Sequence, residues 1–295
     1  MKNSNQVAII TDSNSGITQK EGKELGIFVL PMPFIAEDTI YYEDINLTTE
    51  EFFEKLAAGV DIKTSQPAVE EVTKLWDEVL ESYGSIVYIP MSSGLSSSCQ
   101  TAMMLAEDYG GRVQVVNNQR ISVTQRQSAV DAYALAEAGK SAVEIKEILE
   151  ECKFESSIYI MLDTLYYLKK GGRITPAAAA LGTALRLKPV LQIQGEKLDA
   201  FAIARTKKQG VAKMLDAIRE DIDKRFGGLD NASQVHIALA HTQNEAAAME
   251  LKEKVLELYP DREVVVNPLS LSVSCHIGPG SLAITCTKKI DEKYL

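Results

Sequence analysis

Four short polar segments carry the side chains best suited to chemistry in this 295-residue chain. They are Thr11-Asp12-Ser13-Asn14-Ser15, Thr64-Ser65-Gln66-Pro67, Ser92-Ser93-Gly94-Leu95-Ser96-Ser97-Ser98 and His276-Ile277-Gly278-Pro279-Gly280. Hydroxyl and amide groups donate hydrogen bonds to an anion, and glycine lets backbone N–H groups approach one closely. Each segment also has a plainer reading. Asp, Ser and Asn are ordinary turn residues. Thr64 and Ser65 can cap a helix whose first turn holds Pro67, a position where the missing N–H is no loss. The serine run reads as an anion cradle rather than a nucleophile. With Ser92 as nucleophile, Pro90 falls where a G-x-S-x-G elbow needs its first glycine. His276, beside a Gly-Pro-Gly turn, is expected near the surface or a cleft. There an imidazolium would pair with a carboxylate, or a neutral ring would donate one hydrogen bond. An incidental turn histidine is the alternative.

The remaining titratable residues suggest less. His236 lies in an apolar run and His241 just after it, so both are expected to be structural. Cys99, Cys152, Cys275 and Cys286 form no C-x-x-C pair, and no metal-ligand spacing emerges, so neither a metal nor another cofactor is expected. Lys169-Lys170-Gly171-Gly172 is a helix stop, with lysines complementing the helix dipole and glycine leaving in the left-handed conformation. Arg173 and Arg205 are left over, either solvated or lining the mouth of a site for an acidic ligand.

The elements that must position these residues alternate between short apolar strands and amphipathic helices. Strands are expected at Val7–Ile10, Ile27–Leu30, Ile86–Ile89 and Val113–Val116, with helices starting at Thr18, Thr48 and Thr64, and a largely helical stretch from Ala129 to Cys152. This alternation predicts a parallel sheet covered on both faces. In such sheets ligands favour the carboxyl ends of the strands, where helix starts offer free N–H groups. Beyond about Phe154 the pattern changes. A strand at Ile158–Leu162, a helix over Thr164–Lys170 and a small-residue helix over Ala177–Leu185 come first. A hairpin around Gly195, a helix over 207–225, strand Val235–Ala240, a helix over 244–258 and strand Val264–Val266 follow. The small-residue helix either packs closely on a sheet or forms a wall beside an apolar ligand tail. The fold class is therefore α/β with two α/β domains, 1–153 and 154–295.

Composition narrows the function. A net charge of −10 and a pI near 5.0, with the basic residues scattered, argue against nucleic acid and against lasting attachment to anionic lipid. Met1–Gln6 leads into an apolar strand without a secretory h-region, and no apolar run nears the roughly 20 residues that span a bilayer. A cytoplasmic protein with at most transient membrane contact is expected.

Together these segments resemble the DegV family along nearly the whole chain. The resemblance rests on Thr11-Asp12-Ser13, Thr64-Ser65-Gln66-Pro67, Ser92-Ser93-Gly94-Leu95-Ser96, Asp163-Thr164-Leu165 through Leu168-Lys169-Lys170-Gly171-Gly172-Arg173-Ile174, Leu187-Lys188-Pro189-Val190-Leu191, and His276-x-Gly278-Pro279-Gly280. It implies two α/β domains with one long-chain fatty acid at the domain interface. The carboxylate would be held near Thr64, Ser93 and His276, with Ser65, Ser92 and Gly94 beside them. It further implies a carrier without catalytic residues that presents the carboxylate to a separate fatty acid kinase for acyl-phosphate formation in phospholipid synthesis, with Arg173 and Arg205 at the mouth or kinase-facing surface. The chain departs from the family pattern at Ser97-Ser98-Cys99, commonly Gly-Thr-Tyr. It also departs at Asn117-Asn118, where an Asp is frequent, and at Leu271–Cys275, which lacks a frequent Gly. Two other readings remain: a hydrolase using a serine of Ser92–Ser98 with His276, and a lipid-sensing regulatory module.

Overall fold

Ala8, Ile9 and Ile10 are consecutive and all buried, so their strand must be covered on both faces. A computed structural model describes residues 3–180 and 187–295 and divides them into two units. The first comprises the chain up to Lys153 together with Ser270–Ser272 and Ile290–Leu295; the second comprises Phe154–Leu269 and Val273–Lys289.

In the first unit β1 (Asn3–Asp12), α1 (Gln19–Leu25), β2 (Ile27–Leu30), β3 (Pro33–Ala36), β4 (Thr39–Tyr42), α2 (Thr49–Ala57) and β5 (Ile62–Thr64) come first. Next are α3 (Val69–Leu80), β6 (Tyr83–Ile89), α4 (Ser98–Ala106), β7 (Val113–Val115), α5 (Val123–Glu137) and α6 (Ala142–Glu151). The main sheet has the order β2-β1-β6-β7 and is parallel throughout. The period-two alternation of side chains makes two cores. Ile9, Val87 and Ile89 pack with Ala129, Ala132 and Leu135 of α5 and Ile145 and Leu149 of α6. Ala8, Ile10, Ile86 and Tyr88 pack with Val72, Trp76 and Val79 of α3 and Ala102 of α4.

Sequence and structure part company in several places here. The largely helical stretch expected over 129–152 is helical, but it begins earlier, at Val123, and consists of two helices. Gly139 at φ 86° turns the chain between them, and a Ser141/Glu144 capping box opens the second. The helix expected from Thr64-Ser65-Gln66-Pro67 starts later, at Val69. Thr64 instead ends β5, paired with Phe34, and Pro67 precedes the N-cap Ala68. The three-stranded antiparallel sheet β4-β3-β5 was not expected.

The second unit contains β8 (Ser156–Met161), α7 (Tyr166–Gly171), α8 (Pro176–Ala180), β9 (Lys188–Ile193), β10 (Asp199–Ala204) and α9 (Lys207–Lys224). It continues through β11 (Val235–His241), α10 (Glu245–Leu258), β12 (Val265–Pro268), α11 (Leu271–Ile277, whose first two residues group with the first unit) and β13 (Leu282–Lys288). The sheet order is β10-β9-β8-β13-β11-β12, antiparallel except for the β11–β12 pair. Met214, Ile218 and Ile222 of α9 and Leu251 and Val255 of α10 cover one face. The expected β9–β10 hairpin is present, as is the α7 stop, where Gly172 at φ 67° donates its N–H to the Leu168 carbonyl. Residues 181–185 of the expected small-residue helix lie outside the described residues. Among those described, no helix is long and apolar enough to cross a membrane.

Candidate functional site: polar loops at the sheet ends

At the carboxyl end of β1, Asp12 is fully buried and accepts three hydrogen bonds, from Met91 N–H (2.7 Å), Asn14 N–H (3.0 Å) and Gln125 Nε2 (3.0 Å). Burial pushes its carboxyl up to about 6 against those donors, which pull it down. Asp12 thus ties the β1 loop to the β6 loop and to α5. Ser13 Oγ accepts the Met32 N–H at 3.0 Å, which adds the end of β2.

The serine segment folds around Ser92. Its carbonyl accepts N–H groups from Leu95 (3.0 Å) and Ser96 (3.2 Å), its N–H reaches the Arg120 carbonyl (2.8 Å), and its Oγ accepts the Gly94 N–H (3.3 Å). Ser92 is 1% exposed, so it shapes the loop from inside. Ser93 is half-buried, and its hydroxyl has no hydrogen bond among the described residues. Gln66 Oε1 accepts Ser97 Oγ (3.2 Å) and Thr101 Oγ1 (3.0 Å), drawing segment 64–67 onto the end of the serine loop. Thr64 is half-buried and Ser65 exposed. In the first unit the segment bearing Thr64 and Ser65 is thus linked, through Gln66, to Ser97 and Thr101, just beyond the loop bearing Ser92, Ser93 and Gly94.

In the second unit His276 occupies the last turn of α11, where a turn beyond any helix was expected. The imidazole is half-buried, and burial, with Arg173 adding to it, lowers its value to about 4. Without a ligand this favours the neutral ring, the second of the two readings. Thr242 pins the turn that follows. Its Oγ1 donates to the Gly278 carbonyl (2.5 Å) and accepts the Ser281 N–H (3.0 Å), and its carbonyl accepts the Gly280 N–H (2.7 Å).

Three glycines explain how this turn meets α7 and the loop before it. A Cβ on Gly171 would sit 2.3 Å from His276 Nδ1, one on Gly278 2.3 Å from the Tyr167 ring, and one on Gly280 2.7 Å from the Asp163 carboxylate. The Asp163–Gly172 and His276–Gly280 segments, distant in sequence, thus fit together through missing side chains. Arg173 is half-buried and donates to the Gly171 carbonyl. Arg205 is exposed and follows β10. Strand register puts it at the same sheet end as Asp163, Lys188 and Gly280, and Lys188 pairs with Asp163 at 2.8 Å.

Sequence reasoning included Asn14 in the first polar segment without its partners, and missed Glu43 and the role of segment 270–272. Asn14 Oδ1 accepts the hydroxyls of Ser270 (2.9 Å) and Ser272, and Glu43 Oε2 accepts the Leu271 N–H at 2.9 Å. The Leu269-Ser270-Leu271-Ser272-Val273-Ser274 run was a visible signal, but its alternation hides a helix. No group of three or more His, Cys, Asp or Glu suited to a metal exists among the described residues.

The fold defines a two-unit α/β protein with hydroxyl- and amide-rich loops at the sheet end of the first unit and an imidazole beside the 276–280 turn of the second. More narrowly, the chain belongs to the DegV family, whose model, described as an uncharacterised protein family, matches residues 6–289. It is similar to a DegV family protein of Thermus thermophilus described for its fatty acid binding, with 30% identity, coverage of 96% of this chain and 99% of that one, and a TM-score of 0.87. It is similar also to DegV of Bacillus subtilis, a fatty acid binding protein, with 26% identity, 96% and 99% coverage and a TM-score of 0.84. A DegV domain-containing protein of Deinococcus radiodurans is 27% identical over 94% of this chain and 97% of its own length.

Proposed function

We propose that this protein binds one long-chain fatty acid and presents its carboxylate to a separate kinase that converts it to an acyl phosphate. The observation that carries the reading is the fatty acid binding of the Thermus relative, which aligns over 96% of the chain. The physical chemistry of the loops supports it. An alkyl chain gains about 0.8 kcal/mol per buried CH₂, so the tail supplies most of the affinity. The carboxylate loses water and needs donors in exchange. The donors proposed are the hydroxyls of Thr64, Ser65 and Ser93 and the Gly94 N–H in the first unit, with Ser92 shaping their loop from inside, and His276 in the second. Ser93, whose hydroxyl has no other hydrogen bond among the described residues, is the strongest of these.

Donors of this kind suit a carrier. A neutral imidazole and hydroxyls hold a carboxylate without the bidentate ion pair that an arginine would impose. The oxygen thereby keeps the electron density it needs to attack a phosphoryl group. Arg173 and Arg205 are then available to a kinase-facing surface, and the carrier itself makes or breaks no covalent bond. The reading places the protein in the cytoplasm, in phospholipid synthesis.

Mass spectrometry of an organic extract of the purified protein tests the binding, with close to one fatty acid per chain expected. A clean extract, together with no uptake of added oleate, would reject it. Incubation with a fatty acid kinase and ATP tests the transfer, acyl phosphate being the expected product. Covalent labelling of a delipidated sample by a serine-reactive probe would favour acyl hydrolysis instead.

A further inference from the structure

Segment 270–272, at the start of α11, belongs to the first unit and is held there by two side chains. Asn14 Oδ1 accepts both serine hydroxyls, and Glu43 Oε2 accepts the Leu271 N–H. Asn14 is an amide at any pH. Glu43 is a carboxyl in a tight turn after β4, where Asp44 N–H bonds the Leu47 carbonyl and Ile45 N–H the Tyr42 carbonyl. We propose that Glu43 is a positioning residue for the fatty-acid site: neutral, it stays under Leu271 and holds segment 270–272 in place; ionised, it draws toward water and lets the start of α11 loosen. The inference rests on the fatty-acid reading above, because α11 carries His276.

The surroundings of Glu43 give the sign. Burial, and less strongly Asp44, raise its carboxyl to about 7, while the Leu271 N–H works against them. The facing segment brings Ser270, Leu271 and Ser272, none of which titrates near neutrality. When segment 270–272 lifts, Glu43 is hydrated and its value falls toward that of an ordinary carboxyl. Release is therefore favoured by up to about tenfold per pH unit as pH rises toward 7, and levels off above. Asp12 and Asp131, each raised to about 6, have the same sign but bond to Asn14, Met91 and Gln125 and to Gln127 rather than to segment 270–272. His276 and His236, each lowered to about 4, act with the opposite sign. The rise that disappears in Glu43→Gln is the part that belongs to Glu43.

Two measurements on the full chain, wild type and Glu43→Gln, test this between pH 5.5 and 8. The first is hydrogen exchange of the 270–272 amides in protein without ligand, corrected for intrinsic rates. The second is the dissociation rate of a fluorescent long-chain fatty acid. Gln keeps an acceptor for Leu271 and cannot ionise. The expected result is that both rates climb up to about tenfold from pH 6 to 7 in the wild type and stay flat in Glu43→Gln. Exchange that is flat in the wild type, or that climbs equally in both proteins, overturns the inference. Exchange that differs as expected while dissociation does not overturns the link to the ligand. A wild type that takes up no fatty acid overturns the proposed function, and the exchange result alone then decides whether Glu43 holds the segment.

Discussion

Ser92 and Ser93 are neighbours with opposite roles. Ser92 is buried and its Oγ organises the loop by accepting the Gly94 N–H, whereas Ser93 is half-buried and its hydroxyl makes no hydrogen bond among the described residues. Ser93→Ala is expected to weaken fatty-acid binding by about 1–3 kcal/mol, the usual loss when a charged group is left short of a partner. Its unfolding free energy should change by no more than about 0.5 kcal/mol. Ser92→Ala should lower the unfolding free energy itself by about 1 kcal/mol. Calorimetric titration beside urea unfolding separates the two effects, and equal behaviour of the pair would contradict the assignment. His276 provides a pH test. With its folded value lowered to about 4, the stability it contributes is complete above the ordinary histidine value of 6.5 and is lost as pH falls from there to 4. Wild type minus His276→Gln, measured by urea unfolding at pH 7.5 and 4.5, should shrink by about 1–3 kcal/mol at the lower pH.

At the scale of elements, the close approach of α7 to the 276–280 turn makes neighbouring glycines unequal. A Cβ at Gly171 meets the imidazole at 2.3 Å, while one at Gly172 meets nothing within 4 Å but sits at φ 67°. Gly171→Ala is expected to displace His276 and reduce fatty-acid affinity, whereas Gly172→Ala costs only about 1 kcal/mol of stability through the strained backbone. Binding and melting curves of the two variants check this. What the sequence revealed of these elements follows from periodicity and punctuation. β2 was legible to the residue because Gly26 and Pro31 bracket it, and α7 because Gly172 stops it. β13 was illegible: six of its seven residues are buried, so Leu282-Ala283-Ile284-Thr285-Cys286-Thr287 shows no polar alternation. β3 starts on Pro33, which reads as the end of β2, and α11 alternates serine with apolar residues as a strand would. The hydroxyl loops of the candidate site were visible as composition. The hold of Asn14 and Glu43 on segment 270–272 was not, because partners more than 200 positions apart leave no local trace.

At the scale of the whole molecule, a ligand that binds only the folded protein must raise its stability. Fatty acid at a hundred times its dissociation constant should add about 2.7 kcal/mol. A delipidated sample should therefore melt several degrees lower than a reloaded one in differential scanning calorimetry, and a coincident pair of melts would argue against a bound lipid. The strand order of the second unit has another consequence, for synthesis. β13 lies between β8 and β11, pairing with both, although it is made after every other described strand of that sheet. Until residue 288 has cleared the ribosomal tunnel, the two strands that flank it have no common neighbour, and each presents bare N–H and C=O groups to its surroundings. The first unit's main sheet is finished at Val115 and faces no such wait. The nascent chain thus carries an unfinished sheet from the emergence of β8 until that of β13, and it is during that interval that a chaperone would matter most.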